Sequence, residues 1–383
     1  MKHIFKTLAV ALLATMTLAS CEKENNEPAT GDDQQTAAIA AQFVDHTVAP
    51  TYTALAAKTE QLTTKLAELK QNPTDAGVRE ACTLFLEARA EWEKSEAFLF
   101  GAAGDFGIDP HIDSWPFDVT AFNAQINNQT MINRLDSEDG DAIAGAELGN
   151  SNLGFHSIEY ILFADGQPKS ASAITTNEWI YVVAVAGDLR NNCYRLEVSW
   201  VGDAAPASHI EKLDDLEVSY TLGGSGYSYG ENMKQAGNAG STYPSRLSAL
   251  MAIVDGCKTI ADEVGTSKIG SAYSGEDPTY IESPYSKQSK VDFYNNIVSI
   301  QNAYMGGIEG QRDESRSLHA FVREQNATLD AQVVEAIGNA LAKIDAMPVF
   351  VDNITDPRNG EAMEACQAID EILSQVNTML RSL

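Results

Sequence analysis

Apolar side chains recur at three-, four- and seven-residue steps along almost the whole chain after residue 37, which is the spacing that buries one face of an α-helix. In residues 37–70 this stripe passes Pro50, where we expect a kink or a break because proline cannot donate a backbone hydrogen bond. No segment alternates apolar and polar residues over the length of a strand. The pattern therefore predicts an all-α fold.

The same periodicity predicts the order of the helices. Further helices are expected over residues 75–100, 178–201, 244–264, 289–306, 315–347 and 359–382, with a helix pair in 117–148 and a short helix near 154–163. Residues 202–243 are a glycine-rich connection with a local helix near 229–235, and they lack the G-K-[ST] ending of a phosphate loop. We predict two packed helical bundles, residues 37–201 and 244–383, joined by residues 202–243.

The N-terminus has the pattern of a lipoprotein signal peptide over residues 1–20. Lys2 and Lys6 precede an apolar run, and the following sequence LASC ends at Cys21. Cys21 would become the lipidated (palmitate-bearing) first residue of an outer-membrane lipoprotein, and the polar residues 21–36 a flexible tether. A simple secretory signal with an incidental cysteine is the alternative. Periplasmic and surface-exposed display both remain open.

The charge of the chain is strongly negative, −28 at pH 7. Such a field repels nucleic acid and attracts cations, so we expect no nucleic-acid partner and a diffuse attraction for metal ions. Apart from Cys21 the cysteines form no C-x-x-C pair, which disfavours a zinc ribbon or a redox dithiol. The envelope would permit disulfides, but we expect buried free thiols at Cys82, Cys193, Cys257 and Cys366.

His156 and Glu159 are the first candidates for chemistry. On a helix, residues three apart share a face at roughly 5–6 Å between Cβ atoms, so this pair can share one metal ion or hydrogen-bond to each other. Phe155, Ile158 and Leu162 place the pair beside buried surface. The plain alternative is a histidine at the edge of the core, tied to a neighbouring carboxylate.

Three other segments carry candidate polar groups. Glu96 flanks the apolar stripe near Trp92 and could be a site residue or an ion-pair partner of Arg89, whereas Glu93 is expected to face solvent. The loop 101–116 needs a ligand or tight packing to be ordered, unless it is a simple connection with solvated acids. The polar stripe of helix 289–306 is either a solvent face or the lining of a cleft.

Residues 154–159 (GFHSIE) resemble the G-x-H-x-x-E motif of the imelysin family, also described as insulin-cleaving membrane protease-like proteins. Three further segments resemble that family in the same order: 92–101 (WEKSEAFLFG), 112–116 (IDSWP), and 282–286 (ESPYS) leading to 302–307 (NAYMGG). The resemblance spans most of the mature chain. It implies two related four-helix bundles with a site at their interface.

The resemblance also implies a cell-envelope lipoprotein connected with iron uptake, with iron-uptake components and the membrane as partners. His156, Glu159 and Glu96 would hold a metal ion, and one nitrogen with two carboxylates suits iron, zinc or manganese. Residues expected to line or support the site are Gly154, Trp92, Asp113, Trp115, Glu282, Ser283, Asn302 and Tyr304.

Two alternatives follow from the same residues. The first is a metal-dependent peptidase of the imelysin type, with His156, Glu159 and Ser95 as candidate catalytic residues and Glu159 as the base for a metal-bound water. The zinc-protease signature H-E-x-x-H does not occur in the chain. The second is a module that binds a peptide or haem without catalysis, through its glycine- and tyrosine-rich loops.

Overall fold

A computed structural model describes residues 31–383, which fold into α-helices with a single short antiparallel strand pair. The α-helices are α1 (Gly31–Phe43), α2 (Ala49–Gln71), α3 (Asp75–Glu93), α4 (Ala102–Asp105), α5 (Asp109–Ile112), α6 (Val119–Ile126), α7 (Gln129–Leu135), α8 (Gly140–Glu147), α9 (Gly154–Leu162), α10 (Thr176–Val201), α11 (Ala207–Asp215), α12 (Tyr229–Lys234), α13 (Arg246–Glu263), α14 (Gly270–Ser274), α15 (Ser289–Met305), α16 (Leu318–Gln325), α17 (Ala327–Asp345) and α18 (Pro357–Leu380). The strands are β1 (Phe163–Ala164) and β2 (Gln167–Pro168). The remaining turns are π-helical at Val44–Val48 and Val264–Lys268, and 3-10 at Glu96–Phe98, Asn150–Asn152, Ala171–Ala173, Gly202–Ala204, Glu314–Arg316 and Phe350–Asp352.

The all-α prediction is confirmed. The predicted signal peptide, Cys21 and most of the tether lie outside the described residues. Within the described part of the chain, no helix is both long enough and apolar enough to cross a membrane. The cysteines Cys82, Cys193, Cys257 and Cys366 are all free and buried, as expected.

At Pro50, where we predicted a kink or a break, the helical backbone continues but its hydrogen-bond pattern changes. A π-helical turn separates α1 from α2, and Pro50 lies in the first turn of α2. Because proline has no N–H, the carbonyl of His46 gains no hydrogen bond from position 50. That carbonyl instead accepts a hydrogen bond from the backbone of Ile308 at 2.8 Å, which ties the first helices to the segment after α15.

The helices pack in two groups that share one apolar core. Helix α2 packs against both α3 and α10, with α8 and α9 against α10, and α13, α15, α17 and α18 form the second group. Buried residues from both groups belong to one continuous hydrophobic cluster. Helix α1 packs on α13 of the second group although it precedes α2 in the chain. The predicted domain boundaries remain a prediction.

Two predicted helices end earlier than their periodicity indicated. Helix α3 stops at Glu93, because the Ser95 hydroxyl and backbone N–H both donate to the Trp92 carbonyl and compete with the helical pattern. The predicted helix 315–347 is divided at Asn326, whose side chain accepts a hydrogen bond from Leu329 N and caps α17. The connection 202–243 contains α11 and α12, and the latter matches the local helix expected there.

The two groups approach each other closely at Gly256 in α13. A Cβ atom at this position would overlap the carbonyl oxygen of Ala97. Because glycine has no side chain, the α13 backbone can lie directly against the 3-10 turn Glu96–Phe98. This contact holds Glu96 at the junction of the two groups.

Candidate functional site

A cluster of buried charged side chains lies at this junction, and we call it the buried charge cluster. Its cationic side chains are Arg89, His156 and Lys268, and its carboxylates are Glu93, Glu96, Asp113, Glu159, Glu282 and Asp292. Each of the nine residues is at most 8% exposed. Six carboxylates against three cations leave an excess of three negative charges if every group is ionised. A buried excess of this size has to be neutralised by protons or by a bound cation.

Arg89 from α3 is the centre of the cluster. Its Nη2 atom lies 2.6 Å from Glu93 Oε1 and 2.5 Å from Glu282 Oε1, and its Nη1 atom contacts Asp113. The guanidinium also lies over the Phe155 ring, 5.1 Å from its centroid. Burial alone would lower the pKa of Arg89, but Asp113, Glu93 and Glu282 raise it, so the guanidinium stays charged.

Asp113 joins the loop before α6 to the cluster. Trp92 Nε1 donates a hydrogen bond to Asp113 Oδ2 at 2.7 Å, and His156 Nε2 lies 3.0 Å from Asp113 Oδ1 as an ion pair. Burial would raise the pKa of Asp113, but Arg89 and His156 outweigh it and hold the pKa below its usual value. The loop 101–116 is therefore ordered here by packing and ion pairing, and not as a simple solvated connection.

Glu159 contacts both His156 and the segment that follows α14. Its Oε1 atom accepts hydrogen bonds from the backbone of Tyr285 at 3.1 Å and from both the backbone and the hydroxyl of Ser286 at 2.7 Å. Its Oε2 atom lies 3.4 Å from His156 Nδ1. The expected pairing on one face of α9 is thus present, and it fixes the orientation of the imidazole ring.

The glycine of the G-x-H-x-x-E motif has a steric role. Gly154 has φ +62°, a left-handed conformation, and a Cβ atom there would overlap the backbone of Ile112. Glycine is the residue that tolerates both conditions. The close approach brings Asp113, the residue after Ile112, next to His156 at the start of α9.

Lys268 is a member of the cluster that the sequence did not indicate. It is the last residue of the π-helical turn after α13. This turn lies between two predicted helices, where a lysine is expected to be exposed to solvent. The Nζ atom of Lys268 lies 3.2 Å from Glu282, 3.7 Å from Glu96 and 3.8 Å from Glu93. Burial still raises the pKa of Glu96 well above its usual value, because Lys268 offsets the burial only in part.

The position of Glu93 differs from the prediction. We expected it to face solvent, but it is fully buried and its Oε2 atom accepts a hydrogen bond from Asn296 at 2.5 Å. The prediction was wrong because the polar side of α3 packs against α15 and not against water. Burial, only partly offset by Arg89 and Lys268, raises the pKa of Glu93 to about 7.

The polar stripe of α15 is buried, so it is not the solvent face that was one of the two alternatives. Asp292, Asn296, Ser299 and Asn302 are all at most 3% exposed. Burial raises the pKa of Asp292 well above its usual value, and its Oδ2 atom has no hydrogen-bond partner. Glu93, Glu96 and Asp292, the carboxylates with raised pKa values, match in number the excess of three negative charges.

Other predicted residues lie at the edge of the cluster. The Trp115 ring stacks on Tyr280 with 3.7 Å between centroids, beside the opening of the site. Ser283 is buried next to Glu282 with φ +50°. Ser95 is fully buried, and its hydroxyl donates to the Trp92 carbonyl at 2.6 Å.

Asn302 and Tyr304 lie further along α15, and their side chains form hydrogen bonds with residues outside the cluster. The Tyr304 hydroxyl donates to Asp330 at 2.9 Å, and the Asn302 side-chain oxygen accepts from Arg312 at 3.1 Å. Neither makes a contact with a charged member of the cluster among the hydrogen bonds and ion pairs of the described chain. The structure therefore does not bring these two predicted residues into the site.

A cavity of about 210 Å³ opens onto the cluster. Its charged lining consists of Glu96, Asp109, Asp113, Glu263 and Lys268. Burial and the neighbouring Asp113 raise the pKa of Asp109 to about 7. A second cavity of about 440 Å³ shares Glu96 and Glu263 with it, so the two form one acidic recess between α13 and the 3-10 turn.

Two sets of side chains have the spacing that a metal ion requires. Asp113, His156 and Glu282 form one set, Glu93, Glu96 and Asp113 form the other, and in each the ligand atoms lie within 4.8 Å of one another. The predicted ligands His156 and Glu96 thus fall into different sets that Asp113 connects, and Glu159 belongs to neither. Asp113 and Glu282 were predicted to line the site.

His156 gives the cluster a testable pH dependence. Burial alone would lower the pKa of His156, but Asp113 and Glu159 raise it from 6.5 to about 9. The folded state then holds this proton more tightly than the unfolded state, so protonated His156 stabilises the fold. This contribution is complete at pH values below the pKa of His156 in the unfolded state, and it is lost as the pH rises through about 9. In urea unfolding of metal-free protein, the stability difference between wild type and His156→Gln should narrow between about pH 7 and 10. A difference that stays constant over this range would contradict the assignment.

Comparison with known proteins extends these observations. The chain matches the family model described as Imelysin, peptidase M75, over residues 48–376. It is 27% identical over 329 residues to iron-regulated protein A of Synechococcus elongatus, which covers 85% of this chain and 80% of that protein. A crystal structure from Parabacteroides distasonis, of a protein named as an iron-regulated protein A precursor, matches with TM-score 0.77 and 29% identity over 92% of this chain and 97% of that one. An imelysin-like protein from Psychrobacter arcticum shares the fold, with TM-score 0.58 and 13% identity over 91% and 94% of the two chains.

Proposed function

The chain belongs to the imelysin family, and we propose that it is a cell-envelope lipoprotein that binds a metal ion at the buried charge cluster in connection with iron uptake. Iron is the first candidate for the metal because two relatives are named iron-regulated protein A. Lipid on Cys21 would attach the protein to the membrane, where iron-uptake components would be its partners.

The observation that carries the metal proposal is a buried set of ligand atoms, one of which has no hydrogen-bond partner. Glu282 Oε2 is buried and lacks a hydrogen-bond partner, whereas His156 Nε2 lies 3.0 Å from Asp113 Oδ1; all three residues belong to one ligand set. A buried polar atom is rarely left without a partner unless a ligand or water satisfies it. One imidazole with two carboxylates is a donor set that suits iron, manganese or zinc and leaves positions for water.

The charge balance supports the same conclusion. Burial raises the pKa values of Glu93, Glu96 and Asp292 and so favours their protonated forms, which lowers the excess negative charge when no metal ion is bound. A divalent cation would displace such protons and the proton on His156 Nε2. Arg89 contacts both Asp113 and Glu282, so the cation would share these carboxylates with the guanidinium. The acidic recess reaches Asp113 of this ligand set, so a cation would enter from that side.

Substitution of His156 should therefore remove the metal. In protein purified without chelators, wild type should carry near-stoichiometric metal by elemental analysis, and His156→Ala should lose it. Titration of metal-free protein with Fe²⁺, Mn²⁺ or Zn²⁺ should show an affinity at least about 100-fold lower for His156→Ala, since it loses its one nitrogen ligand. The wild-type affinity should rise with pH because binding releases protons.

His209→Ala is a matched control for this experiment. His209 is also buried against a carboxylate, with its Nδ1 atom 2.6 Å from Glu197, but it lies outside both ligand sets. Circular dichroism would establish that each variant keeps its helices. Metal binding by folded His156→Ala at wild-type affinity would refute the proposed site.

A serine nucleophile for the peptidase alternative gains no support from the geometry. Ser95 is buried and its hydroxyl is bound to a backbone carbonyl. Residues 226–230 (GYSYG) spell the G-x-S-x-G pattern of serine hydrolases, but there Ser228 accepts a hydrogen bond from Glu231 N and caps α12. The nucleophile elbow of that pattern needs a preceding strand, and the strands of the described chain end at Pro168. Metal binding without catalysis is the simpler proposal.

A further inference from the structure

A separate cavity of about 280 Å³ lies between α8, α10 and α11 and shares no lining residue with the buried charge cluster. We call it the Arg195 cavity. The apolar part of its wall consists of Phe106, Ala142, Leu213, Leu216 and Val218. The polar part carries His111, Asp188, Asn191, Asn192 and Arg195.

Arg195 carries a positive charge that no carboxylate balances. Its Nε atom donates to the Ser219 carbonyl at 2.6 Å, and its guanidinium lies 3.9 Å from the centroid of the Phe106 ring. Among the described residues it forms no ion pair, although acidic residues outnumber basic ones 54 to 26 in this chain. Five donors in a fixed plane are suited to a carboxylate, and the terminal nitrogens remain available for one.

The other ionisable groups that line the cavity are His111 and Asp188, and their charges can balance each other. His111 Nε2 and Asp188 Oδ2 are 2.9 Å apart, and the pair carries no net charge when it holds one proton, on whichever side the proton sits. Gly145 permits this pairing, because a Cβ atom there would overlap the Asp188 carboxylate. Asn191 and Asn192 direct their amide groups to Asp141 and Asp188. While the His111–Asp188 pair holds its proton, the net charge of the lining is that of Arg195 alone.

We propose that the Arg195 cavity binds a small organic carboxylate, with the Arg195 guanidinium holding the carboxylate group and the apolar part of the wall holding the hydrocarbon body. A half-buried guanidinium stacked on an aromatic ring loses less hydration when it pairs with an anion than a lysine would. The apolar part of the wall adds affinity in proportion to the hydrocarbon area it covers. The strongly negative protein repels anions elsewhere, so binding depends on this one cation.

Isothermal titration of the full mature chain with benzoate and hexanoate tests this proposal, with benzamide and hexanamide as neutral counterparts. At least one carboxylate should bind saturably, and its amide should bind at least about tenfold more weakly. Arg195→Gln should weaken carboxylate binding by at least about tenfold. Arg190→Gln is the matched control on the same helix, because Arg190 is already paired with Asp141 and does not line the cavity.

Val218→Phe should also abolish binding, because it fills the cavity from its wall without changing any charge. If Arg195→Gln fails to fold, Val218→Phe still measures whether carboxylates bind in this cavity. The proposal is overturned if neither carboxylate binds saturably below about 10 mM, if the amides bind equally well, or if Val218→Phe or folded Arg195→Gln binds like wild type. Binding of inorganic phosphate in preference to both carboxylates would likewise overturn the assigned class of ligand.

Discussion

Arg89→Met should lower the free energy of unfolding by about 3–5 kcal/mol, a large share of the stability of a typical domain. Arg89 contacts Glu93, Asp113 and Glu282 at once, and all of these groups are buried. Methionine has a similar length but no charge, so three carboxylates would lose their shared cation without gaining water. Urea unfolding at pH 7, followed by circular dichroism, measures the change.

Arg134→Met is the control for this prediction. Arg134 pairs with Glu147 on the surface, where both side chains are more than one third exposed, so water and salt screen the pair and its loss should change stability little. The effect of Arg89→Met should shrink at acidic pH, because protonated carboxyl groups no longer need the guanidinium. A loss below about 1 kcal/mol at pH 7 would show that the cluster is not held by ion pairing.

Gly154→Ala should cost about 2–5 kcal/mol and should also weaken metal binding. The alanine would have to adopt φ +62° and its Cβ atom would overlap the backbone of Ile112. Relief of that overlap moves the segment that carries Asp113 away from His156. The same urea experiment gives the loss of stability, and titration with Fe²⁺ or Mn²⁺ gives the loss of affinity.

Gly149→Ala is the matched control, five residues earlier. Gly149 has φ −72°, and no atom lies within 4 Å of the position that its Cβ atom would take. Its replacement should change stability by no more than about 0.5 kcal/mol. If Gly154→Ala were equally mild, the glycine of the motif would not be what brings Asp113 and His156 together.

Much of the candidate site could be predicted because its residues lie in segments that resemble a known family. His156, Asp113, Glu96 and Glu282 were all named from the sequence, and the structure brings them into one buried cluster. The partners of each group could not be predicted. Helical spacing pairs His156 with Glu159, but it says nothing about the Ile112–Asp113 backbone that approaches from a distant loop.

The errors share one physical cause. Periodicity reports which face of a helix is apolar, and it assigns the opposite face to water. On α3 and α15 the polar faces are turned towards each other, so Glu93 and Asn296 form a buried hydrogen bond that looks solvated from either sequence alone. Lys268 was missed for the same reason, since a single lysine near a helix end carries no signal of burial.

Residue spacing predicts the helical class and the main long helices, and the resemblance of four segments to a known family adds most of the candidate site residues. These properties depend on local spacing and on residue type, which the chain carries in every environment. Which charges are buried together, and which atoms remain without a partner, could be seen only in the folded chain. These outcomes depend on contacts between helices that are far apart in the sequence. The free energy of burying each charge depends on the groups it meets there, and not on the helix that carries it.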